Sequence, residues 1–210
     1  MRIGFIGAGN VGRTMGRHLI DAGHHVVLSN SRGPESLRGL VDELGPRAKA
    51  STKEEAVQSD LVILCVHWRH AQEVLKGIAW NGQILVDATN AHIDVPADIS
   101  LEGVTRSRAA LAKTGRTSSE LIAEWAPGAR VVKSISTIPM AWIDDFSASK
   151  PKTVIFTSGD DAEAKRVVID LLDGAGFAPV DLGSLREGGA LHEIGAPLSG
   201  LELHLKRRLR

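Results

Sequence analysis

The chain has 210 residues, 43% hydrophobic and 24% charged, with 25 basic and 25 acidic side chains and no formal net charge. That length suits one large or two small domains with a sizeable core, and the neutral balance gives no argument for nucleic acid or an anionic membrane as partner. No apolar run is long enough to span a bilayer, the lone Cys65 cannot form an internal disulfide, and no metal-ligating set is present; the opening MRIGFIG reads as a strand rather than a signal peptide, so a cytoplasmic location is expected.

In chain order, the apolar run Ile3 to Ile6 meets Gly7-Ala8-Gly9-Asn10-Val11-Gly12, followed by a helical segment from Val11 to Ala22, a break at Gly23 and a second apolar run from Val26 to Leu28. Strand, glycine turn, helix and strand give the GxGxxG spacing its mechanical sense. Gly7 allows a tight turn, Gly9 lets a pyrophosphate approach the backbone, and Gly12 lets the helix pack close to the sheet. The free N–H groups at the helix start then face the phosphates. The spacing predicts a helix from Glu35 to Leu44, a short strand over Arg47 to Ala50, and a short helix opened by Thr52 with a capping-box pattern through Glu55. Asp60 to Val66 is nearly all apolar, as expected of a strand buried on both faces of a parallel sheet. His67 to His70 leads into a helix ending near Lys76, and Gln83 to Asp87 is the next strand. The stretch from Ala91 to Gly115, which includes Pro96, reads mostly as loop. Thr117 opens another capping box, with a helix to about Ala126 and a strand from Ala129 to Ile135. Lys150-Pro151 marks an expected boundary. Beyond it come a strand over Thr153 to Phe156, a helix over Asp160 to Leu172, a strand over Phe177 to Leu182, a glycine-rich segment to Gly200 and a basic tail.

This alternation predicts an α/β, Rossmann-like, doubly wound, mostly parallel sheet with a small C-terminal α/β part. The expected division is a nucleotide-binding domain over 1–150 and a small domain over 151–210. A pocket for the unphosphorylated nucleotide usually carries Asp or Glu at the end of the second strand. Here the position reads Ser29-Asn30-Ser31-Arg32, with no carboxylate. The Arg32 guanidinium and the Ser31 hydroxyl suit a 2′-phosphate, so the pocket is expected to prefer NADP(H).

The assembled residues resemble the NADPH-dependent oxidoreductases of coenzyme F-420, a deazaflavin. The likeness runs from Gly7–Gly12 and Ser31-Arg32 through Val66-His67-Trp68 to Ser118 through Glu124 and Val131 through Pro139. It continues in Gly159-Asp160-Asp161 through Lys165 and closes at Pro179 through Leu185. It implies a Rossmann-like domain for NADP(H), a C-terminal part closing the pocket, hydride transfer to a deazaflavin or flavin ring stacked on the nicotinamide, and a homodimer. Membrane ferric reductases carry a related domain. Members often have proline at the place of His67, and Asn or His at that of Ser136.

The expected cofactor contacts are Gly7, Gly9, Asn10, Val11, Gly12, Ser31, Arg32, Val66, His67, Thr89 and Asn90, and the candidates for positioning a small-molecule ring substrate are His67, Ser136, Thr137 and Pro139. His67 follows a central strand, where it is placed to touch the nicotinamide, donate a proton, or simply cap the strand end. Trp68 either packs on a ring or belongs to the core. Thr89 and Asn90 either line the cofactor trough or make a turn, and Thr137-Ile138-Pro139 either floor the second-ring pocket or turn the chain. Cys65 reads as a buried small hydrophobe. No acid–base dyad stands out, which suits a transfer between rings that depends on alignment. Two other readings are a dehydrogenase of a small hydroxy acid or imine and a non-catalytic NADPH sensor. The former usually needs a large helical C-terminal domain, and only sixty residues follow position 150.

Overall fold

The computed structural model describes residues 1–94, 97–143 and 151–207. Pro96, Lys150 of the expected boundary, and residues 208–210 of the basic tail lie outside them. Strand β1 (Arg2–Ile6) is followed by helix α1 (Asn10–Asp21) and strand β2 (His25–Ser29). Gly23, at φ 92°, ends the helix in a conformation that β-carbons disfavour. A 3-10 turn over Pro34–Leu37 leads into α2 (Arg38–Leu44), so the expected helix divides into two segments. Then come β3 (Ala48–Ala50), α3 (Lys53–Val57), β4 (Leu61–Leu64), α4 (Trp68–Leu75) and β5 (Ile84–Asp87). The Thr52 hydroxyl caps α3 through Glu55 N–H, but the Glu55 carboxylate turns to Arg2, Lys49 and Ser51.

The expected loop from Ala91 to Gly115 contains a helix, α5 (Leu101–Ala112). Its apolar face is thin, with Leu101 85% exposed. Polar contacts support it instead. Ser100 caps it, and Arg106 gathers Asp94, Asp98 and Glu102. Helix α6 (Ser118–Trp125) starts with a complete capping box between Thr117 and Glu120. Next come β6 (Arg130–Ser134), β7 (Lys152–Gly159), α7 (Ala162–Gly174), β8 (Ala178–Asp181), α8 (Glu187–Leu191) and β9 (His204–Leu205). Strand β7 runs past the predicted Phe156 because its polar end is satisfied in the core: the Ser134 hydroxyl donates to the Phe156 carbonyl, and Thr157 lies 3.3 Å from the same hydroxyl.

Among the described residues the sheet has nine strands, ordered β3-β2-β1-β4-β5-β6-β7-β8, with β9 on β7. The first six are parallel in the dinucleotide-binding order. Strand β7 runs antiparallel to β6, and β8 parallel to β7, so the C-terminal strands extend the same sheet. All four residues of β4 are buried, as a central parallel strand requires. Alternate side chains feed two apolar layers. Phe5, Met15, Leu28, Ile63 and Val132 fill one, and Val62, Leu64, Leu85, Ile122 and Val131 fill the other.

Candidate nucleotide and ring site

The strand order reverses between β1 and β4, which opens a crevice beyond their C-terminal ends. A cleft of about 760 Å³ lies there. Its walls include Gly7, Ala8 and Gly9 after β1, Ser31, Gly33 and Pro34 after β2, Thr52 and Lys53 at α3, and Val66, His67 and His70 after β4. The glycines do different work. Gly7 has φ 109°, and a Cβ there would overlap the Cys65 carbonyl. A Cβ at Gly12 would sit 3.0 Å from the Gly7 carbonyl oxygen. A Cβ at Gly9 meets nothing within 4 Å, so the space over Gly9 is open. Gly9 is also the N-cap of α1 and supplies no capping side chain, and the first turn carries no acid. The N–H groups of Asn10, Val11 and Gly12 thus begin a twelve-residue helix with its positive end facing the cleft. Open backbone, free donors and a first turn without acids fit a pyrophosphate, and the acids of the cleft, Glu54 and Glu73, come from α3 and α4 instead.

At the end of β2 the Ser29 hydroxyl is spent on the Phe5 carbonyl. Asn30 organises the next turn, its Oδ1 accepting from Arg32 N–H at 3.0 Å while its amide donates to the Ser36 hydroxyl. Ser31 and Arg32 are exposed. No acidic side chain pairs with Arg32 among the described residues, whereas Arg38 is paired with Glu35 at 2.6 Å. Arg32 is thus exposed without an ion pair among the described residues, and Lys53, on the cleft wall, forms none there either. Arg32, Asn10, Val11, Gly12, Thr89, Asn90, Ser136, Thr137 and Pro139 are not among the walls of the cleft.

His67 is the N-cap of α4, its Nδ1 accepting from Arg69 N–H at 3.3 Å. That bond leaves the proton on Nε2, which is buried beside the Asp94 backbone and in no well-formed hydrogen bond. Burial, then His70 and Arg69, hold its pKa below the usual histidine value despite the Asp94 backbone, so the ring is neutral at pH 7. Trp68 packs on Trp125 of α6 with ring centres 5.1 Å apart, which places it between helices. The Cys65 thiol donates to the Gly7 carbonyl, and burial pushes its pKa up to about 12. Among the described residues no group of three or more His, Cys, Asp or Glu is arranged to hold a metal ion.

The ends of β5 and β6 show features that motif reading did not supply. Asp87 and Lys133 are register partners, both with fully buried side chains, with Nζ 3.7 Å from Oδ2. Lys133 also donates to the Ser118 hydroxyl at 3.1 Å. A lysine inside the apolar run Val131 to Ile135 was the available signal. Past Ser134, Ile135 adopts φ 59°, a conformation that costs a β-branched residue about 1–3 kcal/mol. The strained turn carries Ser136, 7% exposed, and Thr137, 5% exposed, while Pro139 is exposed. Thr89 is buried and Asn90 half-buried.

Sheet order and the open helix N-terminus define a Rossmann-like fold of the dinucleotide-binding type. The family model described as NADP oxidoreductase, coenzyme F420-dependent, matches residues 2–91. A hypothetical protein, SMa0349, from Sinorhizobium meliloti is similar over 98% of this chain and 96% of its own, with 36% identity and a TM-score of 0.84. A protein from Arthrobacter, provisionally described as an F420-dependent NADP reductase, is 26% identical over 88% of this chain and 86% of its own, with a TM-score of 0.65. Residues 2–91, a little under half of the chain, thus carry the pattern of the coenzyme F420-dependent NADP oxidoreductase family. Metalloreductase STEAP3 of Rattus norvegicus is 29% identical over 92% of this chain, which spans 36% of that protein's length. The chain thus spans about a third of the curated relatives it matches.

Proposed function

We propose that the protein binds NADP(H) along the β1–β4 crevice and directs hydride to a planar ring acceptor of the deazaflavin or flavin type. The observation that carries the nucleotide reading is the unpaired Arg32 at a β2 end without a carboxylate, beside the open start of α1. Gly7 to Gly12 would hold the pyrophosphate, and Ser31 and Arg32 the 2′-phosphate. Val66 and His67 would meet the nicotinamide half. When bound, NADPH supplies the hydride. The chain's part is alignment: the crevice fixes one ring, and the turn over Thr137 and Pro139 offers a floor for the second. A neutral His67 presenting Nε2–H suits a hydrogen bond to a polar ring edge better than it suits proton storage.

A second reading has one specific observation behind it, the likeness to STEAP3 over nearly the whole chain. In that reading the reducing equivalents reach a ferric acceptor. Stopped-flow oxidation of NADPH with the deazaflavin, FMN, FAD and ferric chelates in parallel tests both. Fast oxidation by the deazaflavin or a flavin alone supports the ring acceptor, and fast oxidation by chelates alone supports metal reduction. Tight NADPH binding with no oxidation by any of them would replace both with a nucleotide sensor.

A further inference from the structure

The buried Asp87–Lys133 pair needs a reason. A pair taken wholly out of water contributes less than well-packed apolar side chains of the same volume. The strand positions around it are apolar: Leu85 and Val86 precede Asp87, and Val131 and Val132 precede Lys133. The pair does one thing that apolar side chains cannot. It holds every polar group of Thr89. Asp87 Oδ1 accepts from Thr89 N–H at 2.9 Å and from the Thr89 hydroxyl at 2.7 Å. Lys133 Nζ donates to the Thr89 carbonyl at 3.4 Å. The remaining Asp87 oxygen accepts from the Ser119 hydroxyl, which ties the cluster to the start of α6.

Asn90 follows directly. Its amide Nδ2 donates to the Ser136 carbonyl at 2.8 Å and so locks the loop after β5 to the strained turn after β6. Two atoms on these joined loops remain buried with no partner, Asn90 Oδ1 and Ser136 Oγ. Oδ1 is an acceptor, and the Ser136 hydroxyl can donate. A buried polar atom is rarely left unpaired without a purpose. A primary carboxamide offers the complement of this pair, an –NH2 for Asn90 Oδ1 and a carbonyl oxygen for the Ser136 hydroxyl. Both loops lie at the C-terminal sheet edge, where parallel α/β sheets bind ligands.

We propose that Asn90 Oδ1 and Ser136 Oγ form a receptor for the nicotinamide carboxamide, with Asp87 and Lys133 as the positioning residues that hold it in place. The inference rests on the NADP(H) reading above. It gives the strained Ile135 turn a role: the turn aims a buried hydroxyl at the ring and is held there from the β5 side.

Equilibrium binding tests it without an acceptor substrate. Affinities are measured for NADPH and for its reduced 3-acetylpyridine analogue, in which a methyl ketone replaces the carboxamide. The wild type should prefer NADPH by about tenfold, because the methyl group leaves Oδ1 unpaired. Asn90→Ala should erase the preference. Ser136→Ala should weaken both ligands alike, since both keep the carbonyl. The double variant Asp87→Asn/Lys133→Met removes the buried charges together; it should keep a melting temperature close to wild type yet lose the preference. Should that variant fail to fold, Thr89→Val must lower the preference instead. Equal wild-type affinity for the two ligands overturns the receptor and leaves the nucleotide reading standing. A folded double variant, or a folded Thr89→Val standing in for it, that retains the full preference overturns the positioning role. A wild type that binds neither ligand overturns the nucleotide reading and the receptor with it.

Discussion

Single residues at the cleft separate folding from binding. Gly7 needs φ 109° and has the Cys65 carbonyl where a Cβ would go. Gly9 has an ordinary φ of −83° and open space around it. Gly7→Ala should therefore cost stability by at least about 1 kcal/mol, read by urea denaturation. Gly9→Val should leave the denaturation midpoint nearly unchanged while weakening nucleotide binding, read by titration. If Gly9→Val binds as tightly as wild type, the pyrophosphate does not lie over α1. Arg32 tests the other end. Arg32→Ala should weaken NADPH by about 1.5–3 kcal/mol, the worth of a charge-assisted phosphate contact, and NADH hardly at all. Equal losses would remove Arg32 from the 2′-phosphate. These positions were legible because each depends on local chemistry: a glycine spacing, a missing carboxylate, an arginine. The Asp87–Lys133 pair was not, because its members stand in different strands and meet only once β5 and β6 are known to be neighbours.

At the scale of elements, local signals worked where caps and apolar runs agreed. Thr117 shows what such a cap does. Its hydroxyl accepts from Glu120 N–H at 3.2 Å and donates to the Leu185 carbonyl at 3.1 Å, and Glu120 returns to Thr117 N–H. The residue is buried, so water cannot replace these bonds. Thr117→Ala should destabilise the protein by about 1–2 kcal/mol in urea denaturation, and Thr117→Ser by much less. A loss below a few tenths for Thr117→Ala would mean that α6 is held by packing alone. Helix α5 escaped sequence reading for the opposite reason. Its residues bury little apolar surface, Gly103 sits close against Asp98, and its order comes from Arg106 bridging three acids. Such contacts leave no periodic pattern. The polar end of β7 was likewise hidden, since Thr157 and Ser158 are fully buried beside hydrogen-bonding partners that arrive from β6 and α8 or its flank.

Across the whole molecule, the parallel half of the sheet follows from the alternation of strands and helices, while the antiparallel β7 brings the C-terminal residues back to the turn after β6, where Gly200 N–H donates to the Thr137 carbonyl at 2.7 Å. That return buries His192 just after α8, 0% exposed, with Nε2 3.0 Å from the Ser158 hydroxyl. Burial, and then the nearby Lys133 cation, push its pKa down from 6.5 to about 3. In the unfolded chain the ring titrates near 6.5. Between about 6.5 and about 3 the unfolded state therefore holds one more proton than the folded one. Its contribution is fully present above pH 6.5 and is lost as pH falls toward 3, by about 1.4 kcal/mol per pH unit. The carboxylates with lowered values, Glu54, Glu55, Asp98 and Glu120, titrate in the folded state below their ordinary 3.8–4.5, so a window from pH 7 to 5 favours the histidines. His67 and His92, also lowered, are common to wild type and to a His192→Gln variant and cancel in the difference. Urea denaturation of the two proteins at pH 7, 6 and 5 should then show the wild type losing stability more steeply below pH 6.5. Parallel pH dependence would mean that the segment around His192 opens readily enough for the ring to take its proton in the folded state.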